Sequence, residues 1–498
     1  MLTKVALLNS AALFLDQIVL VSVSLVLTPA IIAGVGVGGF GVWQLIIRWT
    51  GYISLMDGRP HELLKWKISR ESESENDLLQ RDVGASLVVW LSYLPLVLLA
   101  GLLFLEWLGS RNFGVGIEPR VILLAGLIML GNALLIGLRT FPEAILRGSN
   151  QGYKQIGVRS LIVLLMGAAS VYVVNNGYGL IGLAWVQLVG TAVLMVAFQV
   201  VTTRNVTWYG CRVPAKENVS FFYRAGFWYF TWSLVNFAFS SLDVIILGFF
   251  VSPENVTVFV VTYFAVQTIT LALSTALSAV LPGMGVLLRN KETVKMLSLR
   301  NEGIIYCWWL AIAISVTALS VNQSFVGLWI DSTNYAGRWE NLFIVFMALQ
   351  MVFVRNDSLI INILLDQKEK VKITLAALLV VIALSVVLVP DYGILGMCAS
   401  FIFGRFIVLY QYPKIISSHT GIAVKGAFTV IGLRKLLVSA LLVVIGFYIS
   451  SELAMQSWLE LIVSSSVIFA AATMLLFLFG FTRANREQLS LRIRAVKG

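Results

Sequence analysis

Charge is scarce in this sequence. Asp, Glu, Lys and Arg make up 12% of its 498 residues, about half the share found in soluble domains. Cysteine and histidine are scarcer still, at three and two residues. Cys211, Cys307 and Cys398 are far apart and odd in number, so no disulfide framework is implied. His61 and His419 stand alone, and no Cys/His cluster has metal-ligand spacing, so neither a metal site nor a cofactor is expected. No phosphate loop, Ser/His/Asp set or catalytic Cys/His pair is present. The glycine run Gly34-Val35-Gly36-Val37-Gly38-Gly39 has no strand before it and reads as a tight turn between helices. These gaps exclude a soluble enzyme and argue against a membrane-embedded transferase.

Hydrophobic residues fill the space that charge leaves. They make up 59% of the chain, and the mean hydropathy is +0.89. A soluble fold could not hide that excess, so the expectation is an all-α polytopic membrane protein. A span needs about 20 mostly apolar residues. Fourteen runs qualify: 8–33, 38–57, 83–106, 121–141, 157–175, 179–201, 225–250, 256–288, 304–329, 341–364, 373–390, 393–412, 435–451 and 458–481. The thirteenth is short, and the eighth is long and holds Pro282. Long continuous runs favour helices over barrel strands.

The net charge of +11 then becomes a question of sidedness. With fourteen spans, 30 of the 36 Lys and Arg fall on the side of the termini, and only Arg111, Arg120 and Arg338 on the other. The positive-inside rule therefore puts both termini in the cytoplasm, and the expected location is a cytoplasmic (inner) membrane. The basic excess reads as a topology signal and a contact with membrane lipids, not as a nucleic-acid footprint. The acidic stretch 70–82 reads as a solvated loop on the cytoplasmic side.

The two halves look alike. Tyr178-Gly179-Leu180-Ile181-Gly182 recurs as Tyr392-Gly393-Ile394-Leu395-Gly396, 214 residues later. Ile145-Leu146 recurs as Ile363-Leu364 at an offset of 218. A near-constant offset implies a duplicated six-helix unit, 1–215 and 216–412, with two appended helices in 413–481 and a basic tail, 482–498. Such repeats are the mark of transporters that bind at a repeat interface.

Arg48, Arg355 and Arg405 remain inside spans, where a charge costs roughly 2.5–3.5 kcal/mol on insertion scales. Gln44, Arg48 and Tyr52 share one helix face, and the expectation is that they line a polar cavity, a buried ion pair being the other reading of Arg48. Arg355 and Asp357 either pair with other helices or touch substrate. Arg405 either touches substrate or snorkels. Asn236, with Ser240, shares a face with Asp243, and Gln267, Thr270, Ser274 and Ser278 share another. Asp16, Asp57, Asp243 and Asp357 are candidates for a coupling-ion site or a gate, structural pairing with an arginine being the alternative for Asp16 and Asp243. Arginine suits a pyrophosphate because it is always charged and donates bidentately; Gln, Asn, Ser and Tyr suit sugar hydroxyls.

Several segments resemble the polysaccharide-unit (O-antigen type) flippases of the multidrug/oligosaccharidyl-lipid/polysaccharide exporter superfamily. They are Gly39-Phe40-Gly41-Val42-Trp43-Gln44-Leu45 with Asp57-Gly58, Ile145-Leu146-Arg147-Gly148-Ser149-Asn150-Gln151, Ser241-Leu242-Asp243-Val244-Ile245-Ile246-Leu247-Gly248, and both Tyr-Gly turns. Pro60 departs from the pattern, and the second half has no counterpart of Asp57, that position falling near Ala276. The resemblance implies two six-helix bundles around a central cavity. It implies a flippase, not an enzyme, which moves a polyprenyl-pyrophosphate-linked oligosaccharide to the outer leaflet by alternating access, as in lipopolysaccharide assembly. Implied partners are the lipid-linked glycan, a coupling H+ or Na+, and other glycan-assembly proteins. A cation-coupled drug or metabolite exporter and a peptidoglycan-precursor flippase are the alternatives on the same fold.

Overall fold

The computed structural model describes residues 2–69, 76–111, 113–278, 284, 285, 287, 288, 290–364, 367–450, 452–483, 485–487 and 489; of residues 2–14, 269, 272 and 274–278 it describes the backbone alone. Pro282, the side chains of Ser274 and Ser278, and the end of the basic tail therefore lie outside the described residues. Among the described residues there is no strand. The protein is an all-α membrane protein, with ten helices among the described residues long and apolar enough to cross a membrane.

The first seven helices and the start of the eighth form one compact unit, 1–257. They are α1 (Leu2–Leu55), α2 (Pro60–Ile68), α3 (Asn76–Ser110), α4 (Pro119–Gly148), α5 (Tyr153–Asn175), α6 (Gly179–Asn205), α7 (Lys216–Phe250) and α8 (Pro253–Ser278). The second unit, 258–498, continues α8 and adds α9 (Thr293–Trp329), α10 (Arg338–Leu364), α11 (Gln367–Thr420), α12 (Ala427–Ile431), α13 (Leu433–Ile449) and α14 (Trp458–Leu475).

Two pairs of expected spans are joined into single 54-residue helices, each broken at one glycine. α1 breaks at Gly36 (φ 77, ψ 167) and α11 at Gly393 (φ 52, ψ −124). The turn expected over 34–39 is thus confined to one residue. Gly393 has a counterpart at Gly179, which opens α6 with φ 54. Both follow an exposed tyrosine, Tyr392 and Tyr178. A left-handed residue is steep for any side chain but nearly free for glycine, so the shared Tyr-Gly motif has a shared conformational reason. Two other motif glycines of the first unit act by size. A Cβ on Gly41 would meet the Pro253 carbonyl, and one on Gly248 would meet Leu45.

The lipid-facing composition is visible on single helices. α3 exposes Leu98, Leu99, Leu102 and Leu103, and α6 exposes Val189, Val193 and Val196. So much exposed apolar surface is tolerable only against lipid. The interior is a different set. Around α2 a core forms from Leu63, Leu64, Ile68, Val83, Trp90, Phe141, Leu146, Trp208 and Phe222. The expected solvated loop is therefore partly wrong. Residues 70–75 lie outside the described residues, but 76–82 already belong to α3, and Asp82 is fully buried. It accepts hydrogen bonds from Lys67 Nζ (2.6 Å) and Asn218 Nδ2 (2.6 Å), which fasten α2 and α7 to α3.

Candidate functional site

The polar face predicted on the second half of α1 meets α7 through Ser241, a residue outside the face predicted there. Arg48 Nη1 donates to Ser241 Oγ at 3.4 Å, the one hydrogen bond this guanidinium makes among the described residues, and its buried Nε has none. Tyr52, one turn on, stands edge-on to Phe237 with ring centroids 4.6 Å apart, and its hydroxyl is buried without a partner. Tyr52 lies within electrostatic reach of both Arg48 and Asp243. Asp243 is buried and accepts the backbone N–H of Val244 at 2.8 Å. Gln44 is partly exposed on the same α1 face and Asn236 is exposed on α7. Ser241 stands in the segment Ser241–Gly248, but the sequence does not mark it as the partner of Arg48.

The helices converge here for a plain reason. Leu45 and Ile46, flanking the polar face, are fully buried, and Gly248 lets α7 close on Leu45. The polar groups are carried inward by apolar packing on either side of them. A guanidinium in a span-length helix with one long hydrogen bond still has most of its donors to offer.

The other expected residues have different surroundings. Asp16 on α1 pairs with Arg159 Nη1 of α5 (3.3 Å) and accepts from Ser160 Oγ (3.0 Å). Asp357 on α10 takes both arms of Arg300, from Nε at 2.8 Å and Nη2 at 2.7 Å. Arg300 also donates to Asn301 and to the Lys425 carbonyl. Arg300, one of the 30 basic residues that the sequence places on the side of the termini, is fully buried on α9. Arg405 on α11 is 2% exposed, donates to the Met347 carbonyl at 2.9 Å and lies over the Phe401 ring. It is held within its own unit and does not snorkel. Arg355 is exposed and, among the described residues, makes no hydrogen bond or ion pair. Gln267 on α8 is partly exposed.

Just past α1, Asp57 and His61 are both buried, with Oδ2 and Nδ1 3.7 Å apart. The i,i+4 spacing was legible, but the histidine was read as isolated. Burial pushes the Asp57 carboxyl up to about 6, against the pull of the Arg59 backbone N–H. Burial, and then the Arg59 guanidinium, pushes His61 down to about 3.

A cavity of about 580 Å³ between α5 and α6 contains none of these residues. Ile162, Leu165, Met166, Trp185 and Val189 are among its mostly apolar walls. Among the described residues no group of His, Cys, Asp and Glu has the spacing to hold a metal ion.

Residues 96–302 match a family described as "Polysaccharide biosynthesis protein". No curated protein matches the sequence. Among solved structures, the chain is similar to "Lipid II flippase MurJ, inward closed conformation", at 14% identity and TM-score 0.63, covering 94% of this chain and 97% of that one. It is similar to "Crystal structure of MATE in complex with MaD3S", at 15% identity and TM-score 0.58, covering 84% and 97%. A transporter of the same MOP superfamily from Pyrococcus furiosus gives 16% identity and TM-score 0.54, covering 84% and 94%. The chain has the all-α fold of the MOP superfamily, and its match to the polysaccharide biosynthesis family supports the resemblance to polysaccharide-unit flippases carried by its motifs.

Proposed function

We propose that the protein is a flippase that carries a lipid-linked oligosaccharide, joined through pyrophosphate to a polyprenyl chain, from the cytoplasmic to the outer leaflet of a bacterial-type inner membrane. The observation that carries this reading is Arg48, a permanently charged donor deep in a span-length helix that makes only one long hydrogen bond. A partly buried guanidinium within a span, with spare donors, is costly unless something anionic or oxygen-rich completes it. A pyrophosphate does so with charge-assisted, bidentate bonds. Ser241, Tyr52, Gln44 and Asn236 supply hydrogen bonds suited to sugar hydroxyls; Arg355, in the second unit, is a separate cation with spare donors. The lipid tail stays in the bilayer while the head group crosses, and binding the head group better in one state than in the other biases the exchange. The termini lie in the cytoplasm, fourteen crossings link them, and the two halves rock as repeats 1–215 and 216–412. Coupling to H+ or Na+ would draw on Asp16, Asp57, Asp243 or Asp357, of which the first and last already hold arginines.

Arg48 also weighs against the exporter alternative for cationic drugs, because like charges repel in a site of low dielectric. The test is a reconstituted flipping assay with a fluorescent polyprenyl-pyrophosphate glycan, alongside a lipid II analogue and a cationic dye. Transport of the glycan lipid, lost in Arg48→Ala and kept in part by Arg48→Lys, is the expected result. Transport of the dye alone would sink the proposal, and transport of lipid II alone would replace it with the peptidoglycan-precursor reading.

A further inference from the structure

The turn that leaves α1 is built unlike any other in the first unit. α1 ends at Leu55, and α2 starts at Pro60. Between them Gly58 and Arg59 both have positive φ, 75° and 51°. Arg59 is one of three non-glycine residues in that state among the described residues, and it precedes a proline, a place where backbone freedom is already reduced. Strain of this kind persists only where the surroundings over-determine it. Here they do. Asp57 Oδ1 accepts the Arg59 backbone N–H at 2.9 Å. A side chain on Gly58 would strike the Tyr93 ring of α3. α2 is wedged against α4, where a Cβ on Gly148 would meet Ile68 and the Lys65 carbonyl.

Within that frame two buried polar atoms face each other. Asp57 Oδ2 and His61 Nδ1 are buried, neither makes a hydrogen bond, and they are 3.7 Å apart. The distance is too long for a direct hydrogen bond and too short for a bridging water, which needs hydrogen-bond lengths to both sides. Two buried polar atoms left without a partner at this spacing are costly. One proton removes the cost: a carboxylic acid O–H donates to an unprotonated ring nitrogen.

We propose that Asp57 and His61 form a proton-binding site, in which a proton carried on Asp57 Oδ2 is donated in a hydrogen bond to His61 Nδ1. Taking the proton draws the two atoms to roughly 2.7 Å and tightens the elbow between α1 and α2. α1 is the helix that carries Arg48 and Tyr52, so the state of the elbow is passed to the polar site along one continuous helix. The inference goes beyond the flippase reading and does not depend on it.

The electrostatics favour the carboxyl as the seat of the proton. The charged groups acting on the pair are Arg59 from the turn, Glu62 and Lys65 from α2, and Arg147 from α4. Arg147 is itself held by Glu143 at 2.6 Å. α3 and α7 bring Tyr93 and Gly226 to the turn. Three cations against one acid oppose an imidazolium, and burial opposes an ionised carboxylate, so the aspartate rises towards 6 while the histidine falls towards 3.

The sequence makes the test tractable, because it holds only two histidines. The full-length protein, labelled with ¹⁵N-histidine and reconstituted in vesicles, is titrated by solid-state NMR, with His419→Gln to assign the signals. His61 is expected to stay neutral, its Nδ1 resonance moving from a bare to a hydrogen-bonded acceptor position as the pH falls through about 6. pH-difference infrared spectra give the other half. A protonated-carboxyl band should grow in over the same range, vanish in Asp57→Asn, and move to the frequency of an unbonded acid in His61→Phe. An imidazolium signal at His61 near pH 6 would overturn the proposal. So would wild-type protein with no carboxyl band titrating there, an observation that needs no variant to fold. A band unchanged by His61→Phe would remove His61 from the site and end the proposal in that form. Loss of glycan transport enters none of these readings, so failure of the flippase assignment and failure of the proton site are separately visible.

Discussion

Arg48 of the first unit and Arg300 of the second make opposite bargains with their surroundings. Arg300 is buried, grips both oxygens of Asp357 at 2.7–2.8 Å and uses its other arm on Asn301 and the Lys425 carbonyl. Four of its five N–H donors are engaged, so its work is done inside the fold: it ties α9 to α10 and to the segment leading into the last helices. Arg48 makes one hydrogen bond of 3.4 Å. A charge so deep and so poorly satisfied would be selected against as a structural element, which is why it is the better candidate for contact with cargo. The difference teaches that burial alone does not mark a functional arginine; the number of donors left without a partner does.

The comparison can be broken in order of effect. Arg300→Met should be the most damaging to the fold, about 3–5 kcal/mol, because it strands Asp357 without its cation. Arg300→Met combined with Asp357→Leu should recover much of the loss, as measured by thermal unfolding in detergent. A single variant as stable as the wild type would return Arg300 to the pool of candidate cargo ligands. Arg48→Ala should leave the unfolding temperature nearly unchanged while glycan-lipid flipping falls tenfold or more, the scale of losing a charge-assisted hydrogen bond of about 1.5–3 kcal/mol. A collapse in stability instead would make Arg48 structural, like Arg300.

The Asp57–His61 pair gives the next effect, with a sign that can be worked out. The folded Asp57 binds its proton more tightly than the unfolded chain does, so its contribution to stability is present at low pH and is lost as pH rises from the ordinary carboxylate range through about 6. The folded His61 binds its proton less tightly, so its contribution is lost as pH falls from its ordinary value through about 3. Between about pH 4 and pH 6 the two oppose each other. Asp57→Asn removes one of them. The variant should gain stability over the wild type near neutral pH, and its unfolding temperature should rise more steeply with pH across that window. An identical pH profile in both proteins would show that the pair is not coupled to folding. Arg355→Gln should have the smallest effect on stability, within about 0.5 kcal/mol as for other exposed positions, while lowering flipping measurably.

Much of the architecture was legible in advance. Apolar runs of span length are a direct consequence of a solvent that offers the backbone no hydrogen bonds, and each run that lies within the described residues falls on a helix. The Tyr-Gly turns were legible because only glycine adopts their backbone cheaply. The polar face of Gln44, Arg48 and Tyr52 was legible from the period of a helix. What escaped is instructive. α2 was hidden because five of its nine residues are polar or Pro and it follows a turn signal, yet Leu63, Leu64 and Ile68 give it an apolar side. Arg300 and Lys370 belong to the basic residues that the sequence places on the side of the termini, where solvent is expected, and both are fully buried. Asp82 was read as solvated, and it is a buried anchor.

The sequence by itself determined that the chain lives in lipid, that it is helical and where its helices break, because hydropathy, helical period and glycine's backbone freedom are local properties. Only the tertiary structure decided which polar residue answers which. Arg48 meets Ser241 across 193 positions, Arg300 meets Asp357 across 57, and His61 turns its ring nitrogen to Asp57. A charge inside a membrane helix must find partners, but the pattern of one helix says nothing of what the next one offers; packing alone fixes that.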